Sequence, residues 1–446
     1  IGVVEYLLKP LDEELLYKAL DKVKQKLENK KNLEVLEKVS KTKEELEFTP
    51  AKYWVNKHIY HKYACKHCNG LSDESKPAVQ SPKREESIIP GSYATPGLLS
   101  YILINKFEDH LPLYRQEKIF RRLGIELPRA TMSNWMIHIA ERLEPLIEMM
   151  KQDLRCGPLV SCDETPLQVL NEPGRPNTAK SFMWLFRGEY EKRWVTGSDS
   201  ERPIFLYHYD PSRSTNIPNE FLGDFKGVLL TDGYPAYDAV AANKNLIHAG
   251  CWAHARRKFK EAYDASKDSK KSEAASEMMN LIQGLYKIES EIKEEGLCSE
   301  DTIKKRQTHS APIINEIYTF LNDYKTRVLP SGHLGTAIEY TLKQWPKLVT
   351  FLEHNVPIDN NLTENAIRPF VLGRKNWLFS GSPRGARASM KIYSIIETAK
   401  ANGLEPYWYF RYLLEKMRDA SFESQLADVA PHRVLWEDVN KQNGKV

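Results

Sequence analysis

The middle of the chain is a succession of short β-rich runs, each flanked by Gly, Pro or charged turns: PLVSCD, SFMWLFR, PIFLYHYD, GVLLTD and LIHAGCW, between residues 158 and 252. These predict five strands. Upstream, residues 95–152 show helical periodicity through LLSYILINKF and WMIHIAERLEPLIEMM, with GIELPRATMSNW between them. A turn followed by Thr or Ser before a short helix fits either helix-turn-helix DNA reading or plain helical packing. Downstream, AHARRKFKEAYDA opens a mainly helical stretch that continues to about residue 350 through TAIEYTLKQWPKLVTFLE, before the block IDNNLTENAIRPFVLGRKNWLFSG. At the start, VVEYLLKP reads as a short strand, and LDEELLYKALDKVKQKL as a helix capped by Asp12 with Leu16, Leu20, Val23 and Leu27 along one face. Residues 48–92 are polar and broken by Pro, Gly and Ser, a small module followed by a linker, with Cys65-Lys-His-Cys68 as its chemical feature.

The 446 residues leave room for two or three domains, and 41% apolar residues suffice for a substantial core. Lys and Arg outnumber Asp and Glu by only 64 to 60, so distribution matters more than net charge. From Asn365 to Lys391 the basic residues are Arg368, Arg374, Lys375, Arg384, Arg387 and Lys391, with no acid among them; a second cluster is Arg256, Arg257, Lys258 and Lys260. Such surfaces suit a polyanion. Six cysteines with one close pair exclude a disulfide framework and point to a reducing cytosol. No apolar run reaches the roughly 20 residues of a membrane-spanning helix, and no leader pattern opens the chain.

Two acids fall at or near the ends of predicted strands: Asp163 at the first and Asp232 at the fourth. Neighbouring strands would bring them together, and carboxylates so placed repel unless a cation shares them. Mg²⁺ or Mn²⁺ prefers such hard oxygen donors, and a two-ion site performs phosphodiester chemistry. A third acid is needed. Glu364 is preferred, because its i, i+4 relation to Arg368 sets carboxylate and base on one helical face. Asp359 is the alternative, although a place before Asn360 and Asn361 suits a turn or helix cap. Glu164 supplements the site or serves structurally, since alternate strand residues face opposite ways. Arg374, Lys375, Asn376 and Trp377 suit phosphate contact and base stacking, or a solvated loop with Trp377 in the core. Arg256 and Arg257 are candidate phosphate contacts. Cys251 and His254 have metal-ligand spacing but no second pair, so they read as a buried thiol and an unrelated histidine.

The segments IPGSYATPGLLSYILINKFEDHLPLYRQE, CDETPLQVL, TDGYPAY, AGCWAHARRKF, DNNLTENAIRPFVLGRKNWLFSG and YSIIETAKANGLEPYWYF resemble the insertion-sequence-66 family of bacterial DDE transposases across about residues 48–425. The resemblance implies an α/β fold with a ribonuclease-H-like, mixed-sheet catalytic core and an α-helical insertion, preceded by a helical domain and a small zinc module. It places the family's acids on Asp163, Asp232 and Glu364, with two Mg²⁺ or Mn²⁺ ions. It also implies transposon-end and target DNA as partners, Arg256, Arg257, Arg368, Arg374, Lys375 and Trp377 on the DNA side, a homo-oligomer on DNA, small accessory proteins, and a bacterial cytoplasmic, nucleoid-associated location. Cys65 and Cys68 resemble half of the family's zinc module; His58 and His61 are the remaining donors, since no Cys precedes Cys65.

Residues 1–30 resemble the last strand and helix of a response-regulator receiver domain, with Lys9 in the place of the lysine before Pro that contacts the phosphoryl group but no strand bearing a phosphoacceptor Asp. The expected organisation is a receiver-like remnant (1–30), a helical linker and partial zinc module (31–89), a helical, DNA-binding candidate domain (90–155), a catalytic core with helical insertion at about 262–350 (156–390) and a C-terminal helical segment (391–446). The reading is a transposase that cleaves DNA and transfers strands. The alternative is a catalytically silent DNA-binding remnant joined to a regulator fragment. A two-component regulator is disfavoured by the missing phosphoacceptor.

Overall fold

The computed structural model describes residues 13–28, 45–48, 51–64, 79–82, 87–190, 202–266, 270–419 and 422–442. The chain separates into two compact units, residues 1–83 and 84–446. In the first, the expected N-terminal helix is α1 (Glu13–Glu28). Its stripe is not buried, for Leu20 and Val23 are exposed. β1 (Tyr63–Ala64) pairs antiparallel with β2 (Val79–Gln80), Tyr63 opposite Gln80. Cys65 and Cys68, and also Lys9 and Asp12, lie outside the described residues.

The second unit opens with the predicted helices: α2 (Pro96–Phe107), α3 (Leu113–Arg122), α4 (Arg129–Arg142) and α5 (Glu144–Cys156). Local chemistry fixes the start of α2. Thr95 Oγ1 accepts the Leu98 N–H at 3.3 Å, and Pro96, which has no N–H to satisfy, takes the first turn of α2. α4 turns Met132, Trp135, Met136, Ile139 and Ala140 inward and leaves Arg129, Ala130 and Asn134 exposed.

All five predicted strands form: β3 (Leu159–Gln168), β4 (Lys180–Tyr190), β5 (Arg202–Asp210), β6 (Val228–Leu230) and β7 (Ile247–Ala249), with α6 (Asn216–Leu222) before β6 and α7 (Pro235–Lys244) between β6 and β7. The sheet order is β5-β4-β3-β6-β7. β4 runs antiparallel to both β3 and β5, whereas β6 and β7 continue parallel to β3. Both faces are covered, which is why β4 carries the unbroken apolar run Met183–Phe186 rather than an alternating one. The first strand is longer than its sequence suggested. Pairing with β6 stops at Ser161 opposite Leu230, but pairing with β4 continues to Gln168 opposite Lys180. Beyond Ser161 one side of β3 has no β6 partner, so Pro166, which cannot donate, is tolerated there. Asp163 therefore lies within β3, not at its end.

Next come α8 (Trp252–Asp264), α9 (Lys270–Glu295), α10 (Ser299–Lys305), a π turn at Arg306–Ser310, α11 (Ala311–Lys325) and α12 (His333–Leu348). They share a core with the parallel half of the sheet: Leu159, Leu230 and Ala249 are continuous with Trp252, Phe259, Met278, Ile317 and Ile338. Trp252 Nε1 donates to the Leu348 carbonyl at 2.8 Å, binding the first of these helices to the last. Buried Arg306 is neutralised by Glu289 at 2.6 Å and donates to the carbonyls of Phe351 and His354.

The chain returns to the sheet with α13 (Asn361–Trp377), α14 (Pro383–Ala401) and α15 (Pro406–Lys416), and ends in the short α16 (Leu426–Val429) and α17 (Trp436–Gln442). α14 covers β5. The Phe205 N–H donates to Thr398 Oγ1 at 3.0 Å and the Tyr207 N–H to Ser394 Oγ at 2.8 Å. Side-chain hydroxyls thus satisfy an edge that would otherwise offer open pairing sites. The tail is fastened at Asp153 in α5, which accepts from His432 at 2.7 Å and from Arg433 at 2.6 Å. Among the described residues no helix is long and apolar enough to cross a membrane.

Candidate active site

Counting two residues on from the last parallel pair, Ser161 and Leu230, reaches Asp163 in β3 and Asp232 just past β6. Parallel register therefore sets the two acids side by side. Asp232 is held by its own turn: its Oδ1 accepts the Tyr234 N–H at 3.0 Å. Gly233 lies between them in close approach to α12, since a Cβ there would meet the Tyr340 hydroxyl at 2.7 Å and that side chain would have to shift. Asp163 Oδ1 accepts the Glu164 N–H at 2.8 Å.

Glu364 stands in the first turn of α13, and a buried neighbour fixes where that helix begins. Asn360 donates its side-chain NH₂ to the Cys162 carbonyl at 3.1 Å and its backbone N–H to Cys251 Sγ at 3.3 Å. The residue next to Asp163 in β3, the start of α8 and the start of α13 are joined through this one residue, which the sequence offered as part of a turn or helix cap and which is the N-cap of α13. The electrostatic result falls on Asp163. Burial, then the charge of Glu164, then those of Asp232 and Glu364 push its carboxyl up to about 8, against the opposing backbone hydrogen bond. The charges of Asp232, in the turn after β6, and of Glu364, in α13, thus both act on Asp163 in β3.

Around Glu364 the described residues leave several buried polar atoms without a hydrogen-bond partner: Glu364 Oε1, His254 Nδ1, Thr363 Oγ1 and Asn360 Oδ1. His254 Nδ1 lies 3.7 Å from Glu364 Oε1, and Arg257 Nη2 3.6 Å from Oε2. Donor atoms of Cys251, His254 and Glu364 all lie within 4.8 Å of one another. Cys251 is buried as expected, but His254, expected to be unrelated to it, shares its neighbourhood with Cys251 and Glu364. One turn of α8 separates Cys251 from His254, and α13 supplies a third donor more than a hundred residues later. No short-range spacing carries that signal.

The two other acids are committed elsewhere. Glu164 is almost fully enclosed, accepting from Arg213 Nε at 2.7 Å and from the Tyr237 hydroxyl. Tyr237 belongs to the quoted TDGYPAY segment, but nothing near Arg213 in sequence points to this pairing. Asp359 accepts the Tyr286 hydroxyl at 2.8 Å and the Asn361 N–H at 3.0 Å, so it ties α9 to the start of α13. Of the basic candidates, Arg256, Arg257, Arg368 and Lys375 are exposed. Arg374 turns inward and donates to Thr165 Oγ1 at 3.1 Å and to the Pro166 carbonyl in β3. Trp377 packs among Phe107, His110 and Tyr393, with Lys106 Nζ 4.3 Å from its ring.

Residues 91–388 match the family described as "Transposase IS66 family", residues 394–432 match its "IS66 C-terminal element", and residues 32–69 match the "zinc-finger binding domain of transposase IS66". Two similar proteins come from Sinorhizobium fredii (strain NBRC 101917 / NGR234). "Uncharacterized protein y4jD" is 34% identical over 388 residues, 85% of this chain and 72% of that protein. "Uncharacterized protein y4qI" is 30% identical over 396 residues, 87% of this chain and 70% of that one.

Proposed function

The chain belongs to the IS66 family of transposases, and from that premise we propose that it cuts DNA at the ends of an insertion sequence and joins the freed 3′-hydroxyl to target DNA. The observation that supports the proposal is the parallel register that sets Asp163 beside Asp232, with Glu364 in the first turn of α13 close enough for its charge to add to the causes that raise the Asp163 carboxyl. An antiparallel half, β5-β4-β3, fused to a parallel half, β3-β6-β7, is the arrangement of a ribonuclease-H-like core.

The residues present fit hard divalent ions. Carboxylates crowded at one place repel until a cation is shared, and Glu364 Oε1 is buried without a hydrogen-bond partner among the described residues. Asp163, Asp232 and Glu364 would hold Mg²⁺ or Mn²⁺. Bound ions would supply Lewis-acid stabilisation of the attacking and leaving oxygens in an in-line displacement that needs no covalent enzyme intermediate. The protein's own share is position. Gly233 lets the Asp232 turn lie close against Tyr340, Asn360 fixes the start of α13 against β3, and the Arg213–Glu164–Tyr237 set steadies the strand beside Asp163. Exposed Arg256, Arg257, Arg368 and Lys375 present positive charge to phosphates, which positions DNA without reading its sequence. The match over residues 32–69 supports a zinc site at Cys65 and Cys68 with exposed His58 and His61 as further donors.

The test is nicking and strand transfer on a duplex carrying the element's end, in Mg²⁺ or Mn²⁺, with the native chain and Asp232→Ala. The native chain is expected to cleave and join, and the variant to bind but do neither. Activity that survives the substitution overturns the assignment of the acids. Binding without cleavage by the native chain would favour a silent remnant.

A further inference from the structure

α13 ends in a backbone conformation that leucine rarely adopts. Leu378 has φ 68° and ψ −47°, and the Phe379 N–H donates to the Trp377 carbonyl at 2.8 Å, closing a three-residue γ-turn of the positive-φ kind. Glycine would relieve this strain, yet the turn carries two large apolar side chains. Both point away from the core: Leu378 is 66% exposed and Phe379 43%.

The turn is held on both sides. Before it, the Leu378 N–H donates to the Arg374 carbonyl at 2.7 Å, and Trp377 is packed against Phe107 and Tyr393. After it, Ser380 exchanges hydrogen bonds with the end of β3, its N–H donating to the Gln168 carbonyl and its carbonyl accepting from the Leu170 N–H, each at 2.9 Å. Asn171 Nδ2 adds a bond to the Gly381 carbonyl at 3.1 Å. Strain persists where the surroundings over-determine it, and such places are typically functional. Here the surroundings hold an apolar point out into solvent.

The charge around that point selects its occupant. Lys375 and Arg387 are exposed, and no acid occurs between Asn365 and Lys391. Three bases of the stretch are engaged within the protein: Arg384 is paired with Glu141 at 2.6 Å, Lys391 with Glu144, and Arg374 turns inward to Thr165. Position agrees with charge. Glu364 opens α13 and Leu378 follows its end, so at 1.5 Å per residue the point stands about 21 Å from the acids, about six base pairs of duplex. β3 joins the same two places, running from Asp163 to the Gln168–Ser380 pairing.

We propose that Leu378 and Phe379 form a rigid apolar wedge that enters the stack of bound duplex DNA, about six base pairs from the cleaved phosphodiester, and unstacks one base step. This rests on the transposase reading for its partner. The basic flank supplies attraction to phosphate, and the wedge supplies a local deformation. DNA whose step at that place unstacks easily is then preferred without any base-edge contact.

The experiment uses the full chain and a duplex with the element's terminal sequence, carrying 2-aminopurine at successive positions, with Ca²⁺ in place of Mg²⁺ to prevent cleavage. The test variant is Leu378→Gly with Phe379→Ser, since glycine keeps the turn and removes the side chain; thermal unfolding checks that it folds. The native chain is expected to raise fluorescence about threefold or more at one step near the sixth pair, and the variant to bind but give no rise. No rise at any position with the native chain, or a rise that persists in the variant, overturns the wedge. Loss of self-association in the variant without a change at the DNA would assign the point to a second copy of the chain and also overturn it. Cleavage in Mg²⁺ is scored separately: a native chain that unstacks but never cleaves sinks the catalytic reading and leaves the wedge standing, while cleavage without unstacking does the reverse.

Discussion

Lys106 shows how far burial displaces an ordinary side chain in this fold. The residue as a whole is partly exposed, but its ammonium is enclosed, 4.3 Å from the Trp377 ring and 5.2 Å from the Phe107 ring. Burial lowers it from 10.5 to about 8. Aromatic faces attract the cation but do not replace its hydration fully. Between those two values the unfolded chain binds a proton that the folded chain has lost, so this residue makes stability rise as pH climbs from about 8 towards 10.5. Below about 8 both states are charged and the cost of enclosing the ammonium is felt in full. Urea titrations on either side of this window are expected to show that rise in the native chain. In Lys106→Met the contribution should be absent; an unchanged pH slope would remove Lys106 as its source. None of this was legible in the sequence, where Lys106 is one base among many and its enclosure depends on Trp377, which arrives from the far end of the chain.

The elements were easier to read than their limits. All five strands follow from β-rich runs between turn residues, and the helices on either side from their apolar spacing. The extension of β3 beyond Asp163 was not legible, because Pro166 reads as a break until one knows that β6 has already stopped pairing. Nor was the role of α14. Ser394 and Thr398 look like polar interruptions of an apolar helix, yet they face β5 and satisfy its backbone. Removing those hydroxyls strands buried N–H groups. Ser394→Ala and Thr398→Val are each expected to cost about 1–3 kcal/mol, measured as a shift in denaturant midpoint at constant slope. Losses within about 0.5 kcal/mol would mean that the edge is satisfied in another way.

At the scale of the whole molecule, the candidate site is a product of topology. That Asp163 and Asp232 belong to neighbouring strands was legible in the β-rich runs, although Asp163 lies within β3 rather than at its end. The sequence preferred Glu364 and kept Asp359 as the alternative, and their surroundings differ: Asp359 is taken up by Tyr286 and Asn361, whereas Glu364 faces His254 and Arg257. The convergence of Cys251, His254 and Glu364 is a property of the assembled fold, created where the helices after β7 lead back to α13. The zinc-finger match over residues 32–69 strengthens a module that the single Cys pair had left incomplete. The central claim is that the three acids hold hard metal ions that DNA cleavage needs. Asp163→Cys tests it most directly, because a thiolate is a poor ligand for Mg²⁺ and a better one for Mn²⁺. Strand transfer by this variant should be lost in Mg²⁺ and return in Mn²⁺. Full activity in Mg²⁺, or none in either ion from a folded, DNA-binding variant, would contradict the account.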